Sequence, residues 1–408
     1  MEAAHRRFKP GVLIWPVDHQ YAAGHAPWGI CLKRTVFSSE HEIFRENFRR
    51  FLAEHVVPHH GEWEKSGFVP RDVWQLAGSL GFLCPTMPEK YGGAAGDFGY
   101  SAVVLEEIAR VNATGLGFTL QSDIAAPYIL AYGSEELKHD WLPKMASGEV
   151  IAALALTEPG AGSDLKAIRT SARRDGDHYV IDGQKTFITN GFNCDLVIVA
   201  AKTDPERGRQ GVSLILVPLG TSGFNKGRKL DKIGLLAQDT AELFFDGVRV
   251  PISNRLGEEN EGFSYLMHQL AQERLGIGLR AVASIEAMLE LTLSYAKQRK
   301  AFGKLLFDFQ NTKFKLADAR AQAEMLRCFA DDCLAEHLRG ELTPVRAAMI
   351  KLLGSEMQNR ILDDLLQLHG GYGFMSEYTV SRAWRDARIM RIYGGSSEIM
   401  REIIARDM

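Results

Sequence analysis

The chain has 408 residues, of which 46% are hydrophobic and 24% charged, a balance typical of a globular protein with room for two or three domains. Its formal net charge of -3 provides no overall positive field, so neither nucleic acid nor an anionic membrane is expected as its main partner. No apolar run approaches the ~20 residues that a membrane span requires. The five cysteines are scattered without a CxxC pair, which speaks against a disulfide framework and against a zinc or other metal site.

The first part of the chain is predicted to be an α-helical domain over residues 35–151, preceded by a poorly ordered extension at 1–34. The extension shows no helical or strand periodicity and is neither amphipathic nor Ser-rich, so an unstructured extension is favoured over the alternative of an organelle-targeting peptide. Helical periodicity begins at Ser39, whose hydroxyl is expected to form a capping box with Glu42, and ends before Pro58. Further helical windows follow at 71–81, 99–111, 120–132 and 135–147.

The pattern changes near residue 151, which predicts a small central β domain at 152–256. Short β-branched and aromatic runs follow one another, and Asp182-Gly183 and Asp246-Gly247 are expected to form turns between strands. Helical periodicity then returns in long windows that predict a C-terminal four-helix bundle at 257–408: 262–300, 309–338, 343–370 and 376–390. The predicted class is therefore a multidomain α+β protein with the order α, β, α, in which the central domain is expected to be β-barrel-like.

Two neighbouring stretches of the β domain combine glycine with polar or aromatic residues. In ALTEPGAGSD, residues 155–164, two glycines allow the backbone to approach a ligand such as a phosphate, although an ordinary tight turn explains the stretch equally well. In KTFITNG, residues 185–191, Phe187 and Thr189 share one strand face, where a planar heterocycle can stack. A half-buried strand face is the commoner meaning of that alternation.

A carboxylate interrupts the apolar stripe of the helical window 262–300. Glu273 lies among Leu266, Leu270, Ile277, Ala281 and Met288, so it is expected to be partly desolvated and to have a raised pKa suited to a general base. The small residues Gly276 and Gly278 are expected to leave room for a ligand one turn later. From the sequence alone, a buried ion pair with Arg274 or Arg280 is the more common arrangement.

Three further stretches place glycine or cations at helix ends. Residues 297–310, KQRKAFGKLLFDFQ, bring cations to the end of a helix, where Arg299 is either solvated or able to clamp a pyrophosphate. Residues 367–374, QLHGGYGF, fit either a helix cap or a close ligand approach. In RIYGGSSEIMRE, residues 391–402, Ser396 or Ser397 is expected to cap a helix that begins near Glu398.

Together these motifs resemble the acyl-CoA dehydrogenase family from about residue 35 to the end of the chain. LTEPGAGSD, KxFITNG, QRxAFGK, QLHGGYGF and IYGGSSEIM occur in the family's order and spacing. The resemblance implies the three-domain fold predicted above, assembled as a homotetramer around FAD. The FAD contacts that it implies on the β domain are Leu156, Thr157, Gly162, Ser163, Phe187, Ile188 and Thr189. It further implies that Ser396 and Glu398 close over the ribose side, and that a neighbouring subunit contributes Arg299, Gln310, Gln367, Gly370 and Gly371. Phe302 is a further cofactor contact that it implies.

The resemblance also suggests where the catalytic base lies. Medium- and short-chain members carry a glutamate in the closing motif, where this chain has Gly394, whereas long-chain and isovaleryl members carry the base on the first bundle helix, where this chain has Glu273 in AQERLGIG. The chain is thus most similar to the long-chain members, with Glu273 as base and the Gly394 N–H on the substrate carbonyl. The substrate contacts implied are Ser163, Ala271, Arg274, Gly394 and Gly395.

The activity implied is α,β-dehydrogenation of a long-chain or branched acyl-CoA to a trans-2-enoyl-CoA in fatty acid β-oxidation, with electrons passed to an electron-transfer flavoprotein. The alternatives are an isovaleryl-type enzyme, a flavin oxidase or monooxygenase on the same fold, and a flavoprotein without catalysis. The expected location is the cytoplasm of a bacterium or the mitochondrial matrix of a eukaryote.

Overall fold

The computed structural model describes residues 34–408, so the extension predicted at 1–34 lies almost wholly outside the described residues. Within residues 34–408, no helix combines the length and the apolar character that crossing a membrane demands. Helices precede a central sheet, and further helices follow it, which confirms the predicted order α, β, α.

All the helices predicted before the sheet are present. Their bounds are α1 (Ser39–Phe51), α2 (His60–Ser66), α3 (Arg71–Ser79), α4 (Phe98–Arg110), α5 (Phe118–Leu120), α6 (Ala126–Tyr132) and α7 (Glu135–Ala146). A π-helical turn, Leu52–Val56, extends α1, and another, Gln121–Ala125, joins α5 to α6. The apolar face of α1 is buried, with Phe48 and Leu52 both at 0% exposure, so this helix anchors the core of the N-terminal domain.

The start of α1 differs by one residue from the prediction. Ser38, with an extended backbone, is the N-cap, and its hydroxyl accepts a hydrogen bond from the backbone N–H of His41. The His41 ring accepts in turn from the Ser38 N–H at 3.0 Å. Because a capping box pairs the N-cap with the third helical residue, shifting the cap from Ser39 to Ser38 replaces Glu42 by His41.

The central domain is an eight-stranded mixed sheet. Its strands are β1 (Ala152–Ala155), β2 (Ser171–Asp175), β3 (His178–Thr189), β4 (Leu196–Lys202), β5 (Val212–Pro218), β6 (Phe224–Lys229), β7 (Thr240–Pro251) and β8 (Arg255–Leu256). They follow the order β6-β7-β3-β2-β4-β5-β8, and β1 pairs with β4 in parallel. The predicted central β domain is therefore confirmed.

The two Asp-Gly dipeptides do not form turns between strands, so that prediction was wrong. Asp182-Gly183 lies inside β3 and Asp246-Gly247 inside β7, where the pairing of the two strands shifts register. The Gly247 N–H donates to Asp182 Oδ1 at 2.8 Å, so a hydrogen bond joins the two dipeptides across the register shift. β3 and β7 are each twelve residues long, and their pairing overrides the local preference of the Asp-Gly dipeptides for a turn.

Three long helices and two short ones form the C-terminal part. They are α8 (Gly262–Ala296), α9 (Gln310–Leu338), α10 (Pro344–His369), α11 (Thr379–Ala387) and α12 (Ser397–Ala405), with a small hairpin of β9 (Lys300–Ala301) and β10 (Lys304–Leu305) between α8 and α9. The glycines of α8 serve packing and not ligand access, contrary to expectation. A Cβ on Gly278 would lie 2.6 Å from Ile350 of α10, and one on Gly276 would lie 3.4 Å from Leu105 of α4. Gly278 therefore allows close contact between α8 and α10.

A buried ion-pair cluster fixes α8 and α9 against the N-terminal domain. Arg327 of α9 donates to Glu106 of α4 at 2.6 Å and to Glu286 of α8 at 2.7 Å. Arg45 of α1 donates to Glu107 of α4 at 2.8 Å. Because these side chains are mostly buried, removal of one partner would leave a charge without compensation, so α1, α4, α8 and α9 are held in one arrangement.

Candidate active site

The carboxylate of Glu273 lies on α8 in contact with the buried tyrosine of α6. Tyr128, which is 0% exposed, donates its hydroxyl hydrogen bond to Glu273 Oε1 at 3.4 Å. Burial raises the pKa of Glu273 to about 7, while Arg274 and the Tyr128 hydroxyl oppose that rise. The carboxyl is therefore divided between its protonated and ionised forms near neutral pH, as a general base requires.

The ion pair considered as the alternative for Glu273 is not formed within residues 34–408. The Arg274 Nε lies 3.5 Å from the carbonyl oxygen of Gly394, and the Arg280 Nη1 lies 3.5 Å from the Tyr393 hydroxyl. Both cations of α8 are thus directed to the segment before α12, and Glu273, a half-buried residue, keeps a carboxylate whose pKa is raised by desolvation.

The Gly-Gly segment before α12 adopts a conformation that favours glycine. Gly394 and Gly395 have φ values of +62° and +94°. A Cβ on Gly394 would lie 2.6 Å from Ile277 Cδ1, one turn of α8 beyond Glu273. The side chain of Ile277 therefore fills the space into which a side chain at position 394 would extend, and the segment presents backbone alone.

Of the residues predicted to contact FAD on the β domain, Gly162, Ser163 and Phe187 are exposed, and the others are half-buried or buried. Phe187 is 67% exposed at the register shift of β3 and has a φ of +61°, while Leu156 and Thr157 are half-buried beside it. The Thr186 N–H donates to the Thr157 carbonyl at 2.9 Å, which joins the two predicted stretches. Thr189 is half-buried and Ile188 is buried, and a Cβ on Gly162, next to the exposed Ser163, would meet open space. An exposed ring beside half-buried polar groups fits a planar heterocycle.

A buried lysine supports this surface, and sequence reasoning missed it. Lys185, which is 1% exposed, donates to Glu158 Oε1 at 2.7 Å and to the Leu156 carbonyl at 3.1 Å. Glu158 also accepts the N–H groups of Arg169 and Thr170 at 2.6 and 3.0 Å. Glu158 belongs to residues 155–164 and Lys185 to residues 185–191. The spacing within each stretch does not predict an ion pair between the two stretches.

A second surface combines residues of the connection between α8 and α9 with residues at the end of α10. The guanidinium of Arg299 lies 5.6 Å from the centre of the Tyr372 ring, which brings residues 297–310 next to residues 367–374. The predicted cofactor residues of this surface are all exposed: Arg299, Phe302, Gln310, Gln367, Gly370 and Gly371. Phe302 is 97% exposed, and Phe374 and Tyr372 of the other stretch are 83% and 45% exposed, so this surface carries several exposed apolar side chains.

The remaining predicted residues lie on α8 and at the start of α12. Ser396 is the N-cap of α12 and accepts a hydrogen bond from the Ile399 N–H at 3.4 Å, as expected, while Glu398 is exposed in the first turn. Ala271 is half-buried on α8 two residues before Glu273. Arg274 is 6% exposed, and its Nε donates to the carbonyl oxygen of Gly394.

A second buried lysine, also missed, touches the Gly-Gly segment. Lys351 of α10 is 0% exposed, and its Nζ donates to the Gly395 carbonyl. The only sequence signal was a single lysine within the apolar run AAMIKLL.

Comparisons with known proteins agree with the fold. Family models of the N-terminal, middle and C-terminal acyl-CoA dehydrogenase domains match residues 38–149, 153–248 and 260–408. The mitochondrial long-chain specific acyl-CoA dehydrogenase of Sus scrofa is 52% identical over 377 residues, which cover 92% of this chain and 88% of that protein. The crystal structure of an acyl-CoA dehydrogenase from Geobacillus kaustophilus matches with a TM-score of 0.89 at 48% identity, covering 91% of this chain and 98% of that one. A glutaryl-CoA dehydrogenase from Mycobacterium smegmatis, solved in complex with FADH2, matches with a TM-score of 0.88 at 29% identity, covering 94% and 98%. The chain belongs to the acyl-CoA dehydrogenase family.

Proposed function

We propose that this chain dehydrogenates a long-chain or branched acyl-CoA between its α and β carbons, with FAD as cofactor and Glu273 as the base. The observation that carries the proposal is the desolvated Glu273 carboxylate, whose pKa is raised to about 7, on a helix that touches a Gly-Gly segment without a carboxylate. The similarity to long-chain specific relatives supports the same substrate class.

Glu273 takes the α-proton of the thioester. In its ionised form it accepts the hydrogen bond of Tyr128, which holds one carboxylate oxygen and leaves the other for the substrate. The proton moves to the carboxylate as the α-carbon becomes negative. Because burial has already raised its pKa, the carboxylate is a stronger proton acceptor than a solvated glutamate.

The backbone N–H of Gly394 donates to the thioester carbonyl oxygen as negative charge develops there. Preorganised donors of this kind lower the barrier by roughly 2.7–4 kcal/mol each. The positive φ of Gly394 sets the direction of its peptide groups, and the absence of a side chain lets the thioester approach the backbone. Ser163, Ala271 and Arg274 complete the proposed substrate contacts.

FAD fits the residues that would hold it. The exposed Phe187 would lie against the flavin ring, with Leu156, Thr157, Ile188 and Thr189 around it, while Gly162 and Ser163 offer an open backbone and a hydroxyl to the pyrophosphate. When bound, the flavin accepts the β-hydrogen of the substrate as hydride. The chain's own residues orient the acyl group so that Glu273 and the flavin surface lie on opposite sides of it.

The second surface implies a partner subunit in the proposed assembly. Arg299 supplies a planar cation for a pyrophosphate, and Gly370 has a φ of +57° at the end of α10, where its backbone is exposed. Phe302, Phe374 and Tyr372 expose apolar area next to these groups, which a homotetramer would cover. Ser396 and Glu398 would complete the site. We propose electron-transfer flavoprotein as the electron acceptor.

An anaerobic titration of the purified flavoprotein with saturated acyl-CoAs of increasing chain length tests the function. We expect loss of flavin absorbance and formation of 2-enoyl-CoA, with the highest kcat/KM for long chains. Failure of every acyl-CoA to bleach the flavin would overturn the proposal. Rapid reaction of the reduced flavin with oxygen would instead indicate an oxidase or monooxygenase.

A further inference from the structure

The two carbonyl groups of the Gly394-Gly395 segment are held by two cations from different helices. Arg274 of α8 places its Nε 3.5 Å from the Gly394 carbonyl oxygen, and Lys351 of α10 donates to the Gly395 carbonyl. Each carbonyl shares its peptide plane with the N–H of the following residue, so the two contacts orient the N–H groups of Gly395 and Ser396. The Gly394 N–H lies in the preceding plane, with the Tyr393 carbonyl, and the contacts restrain it through the Gly394 Cα that joins the two planes.

Lys351 has no access to solvent and little freedom to serve any other group. Its side chain is 0% exposed. The charged groups that act on it are Arg274, Arg391, Glu356 and Glu398, of which the arginines lower and the glutamates raise its pKa. Burial is the largest effect and lowers the pKa of Lys351 to about 8, so the ammonium still carries its proton at pH 7. Its bond to the Gly395 carbonyl is therefore charge-assisted.

Apolar side chains also pack against the segment. A Cβ on Gly395 would lie 2.6 Å from Met400 Cε of α12, and one on Gly394 would lie 2.6 Å from Ile277 Cδ1 of α8. Two glycines with positive φ have many accessible conformations, so such a segment needs outside contacts to keep one of them. Ile277 and Met400 limit its position, but only the two cations bond to its carbonyls among the contacts of residues 34–408.

We propose that Lys351 is a positioning residue that holds the Gly-Gly backbone so that the Gly394 N–H meets the thioester oxygen. The inference rests on the proposed role of Gly394 in dehydrogenation. Lys351 touches neither substrate nor flavin in the proposed site. Its removal should therefore weaken stabilisation of the developing oxyanion more than it weakens substrate binding.

The variants Lys351→Met and Lys351→Gln remove the charge, and the glutamine is also one atom too short to reach the same carbonyl. The matched control is Asn359→Leu. Asn359 lies two turns further along α10, where its amide donates to the Ala387 carbonyl at 2.9 Å, so this variant breaks a similar contact with the following segment without touching Gly395.

The first measurement is steady-state kinetics with a long-chain acyl-CoA. We expect kcat to fall by about 10- to 100-fold in both Lys351 variants, because a donor displaced by about 1 Å loses much of its effect. KM should stay within about threefold, since binding of the acyl and CoA groups does not depend on the donor.

The second measurement is the apparent pKa of the α-proton of a bound 3-ketoacyl-CoA, followed by absorbance of its enolate. This ligand has an acidic α-proton and no hydride to give, so it reports stabilisation of the negative oxygen alone. We expect the variants to raise that pKa by about one unit, a tenfold loss of enolate stabilisation. Asn359→Leu should leave it unchanged.

The outcomes separate this inference from the proposed function. A wild-type protein that neither bleaches with acyl-CoA nor forms the enolate would refute the function itself. If the wild type does both, two results would overturn the positioning role. One is that the α-proton of 3-ketoacyl-CoA bound to Lys351→Met has the same pKa as in the wild type. The other is that Asn359→Leu raises this pKa as much as Lys351→Met does. Should Lys351→Met fail to fold, Lys351→Gln decides by the same criterion.

Discussion

Replacing Glu273 by glutamine should stabilise the folded protein at alkaline pH, although it removes the proposed base. The pKa of Glu273 is raised from its ordinary 4.5 to about 7 by burial, so the folded state binds a proton that the unfolded chain releases between these values. A group with a raised folded-state pKa stabilises most below its unfolded pKa, and that stability is lost as pH rises through about 7. The difference between 4.5 and about 7, at ~1.4 kcal/mol per pH unit, corresponds to roughly 3–4 kcal/mol.

Glutamine resembles the protonated acid and still offers an oxygen to Tyr128, so the variant avoids the cost of the buried charge. Thermal unfolding of wild type and Glu273→Gln, followed by circular dichroism at one scan rate, measures the effect. We expect equal Tm values near pH 5 and a variant Tm that is higher by a few degrees near pH 9. Glu46→Gln, at an exposed position of α1, controls for the loss of one negative charge. A Tm difference that does not change with pH, or a less stable variant at pH 9, would refute the reasoning.

Three further predictions concern the surroundings of this residue and of the flavin surface. Gly394→Ala should lower both kcat and Tm, because its Cβ would meet Ile277 Cδ1 at 2.6 Å at a φ of +62°, and a second change of Ile277→Val should recover part of the Tm. Glu158→Ala should cost ~3–5 kcal/mol of stability by leaving Lys185 buried without its partner, whereas the double variant with Lys185→Met should lose less in the same unfolding assay. The kcat/KM of the wild type should fall tenfold per pH unit below about pH 7, where Glu273 becomes protonated, and an acid limb centred near 4.5 would contradict the raised pKa.

The sequence predicted the helices, the central sheet and the position of Glu273, because each follows from a periodicity. A carboxylate inside an apolar stripe of α8 must be at least partly desolvated wherever that stripe packs. The competing ion pair depended on where Arg274 and Arg280 point, and periodicity does not determine that direction. The Gly394 carbonyl and the Tyr393 hydroxyl attract these side chains instead.

Features that depend on distant partners were missed or misassigned. Asp182-Gly183 has the local chemistry of a turn, but strand β7 pairs across it, so the dipeptide becomes an irregularity inside β3. The strands β2 (SARRD) and β6 (FNKGRK) are too polar to show a strand pattern in the sequence. Their pairing with β3 and β7 stabilises them. Lys351 bonds to a carbonyl 44 residues away, a distance over which no spacing rule applies.

The central claim is that Glu273 removes the α-proton, and rapid anaerobic mixing of Glu273→Gln with a long-chain saturated acyl-CoA tests it most directly. The variant should retain its flavin, and the loss of flavin absorbance should be slower than in the wild type by ~10²–10⁴-fold, the share that a general base contributes. Flavin reduction at an undiminished rate would show that another group takes the proton.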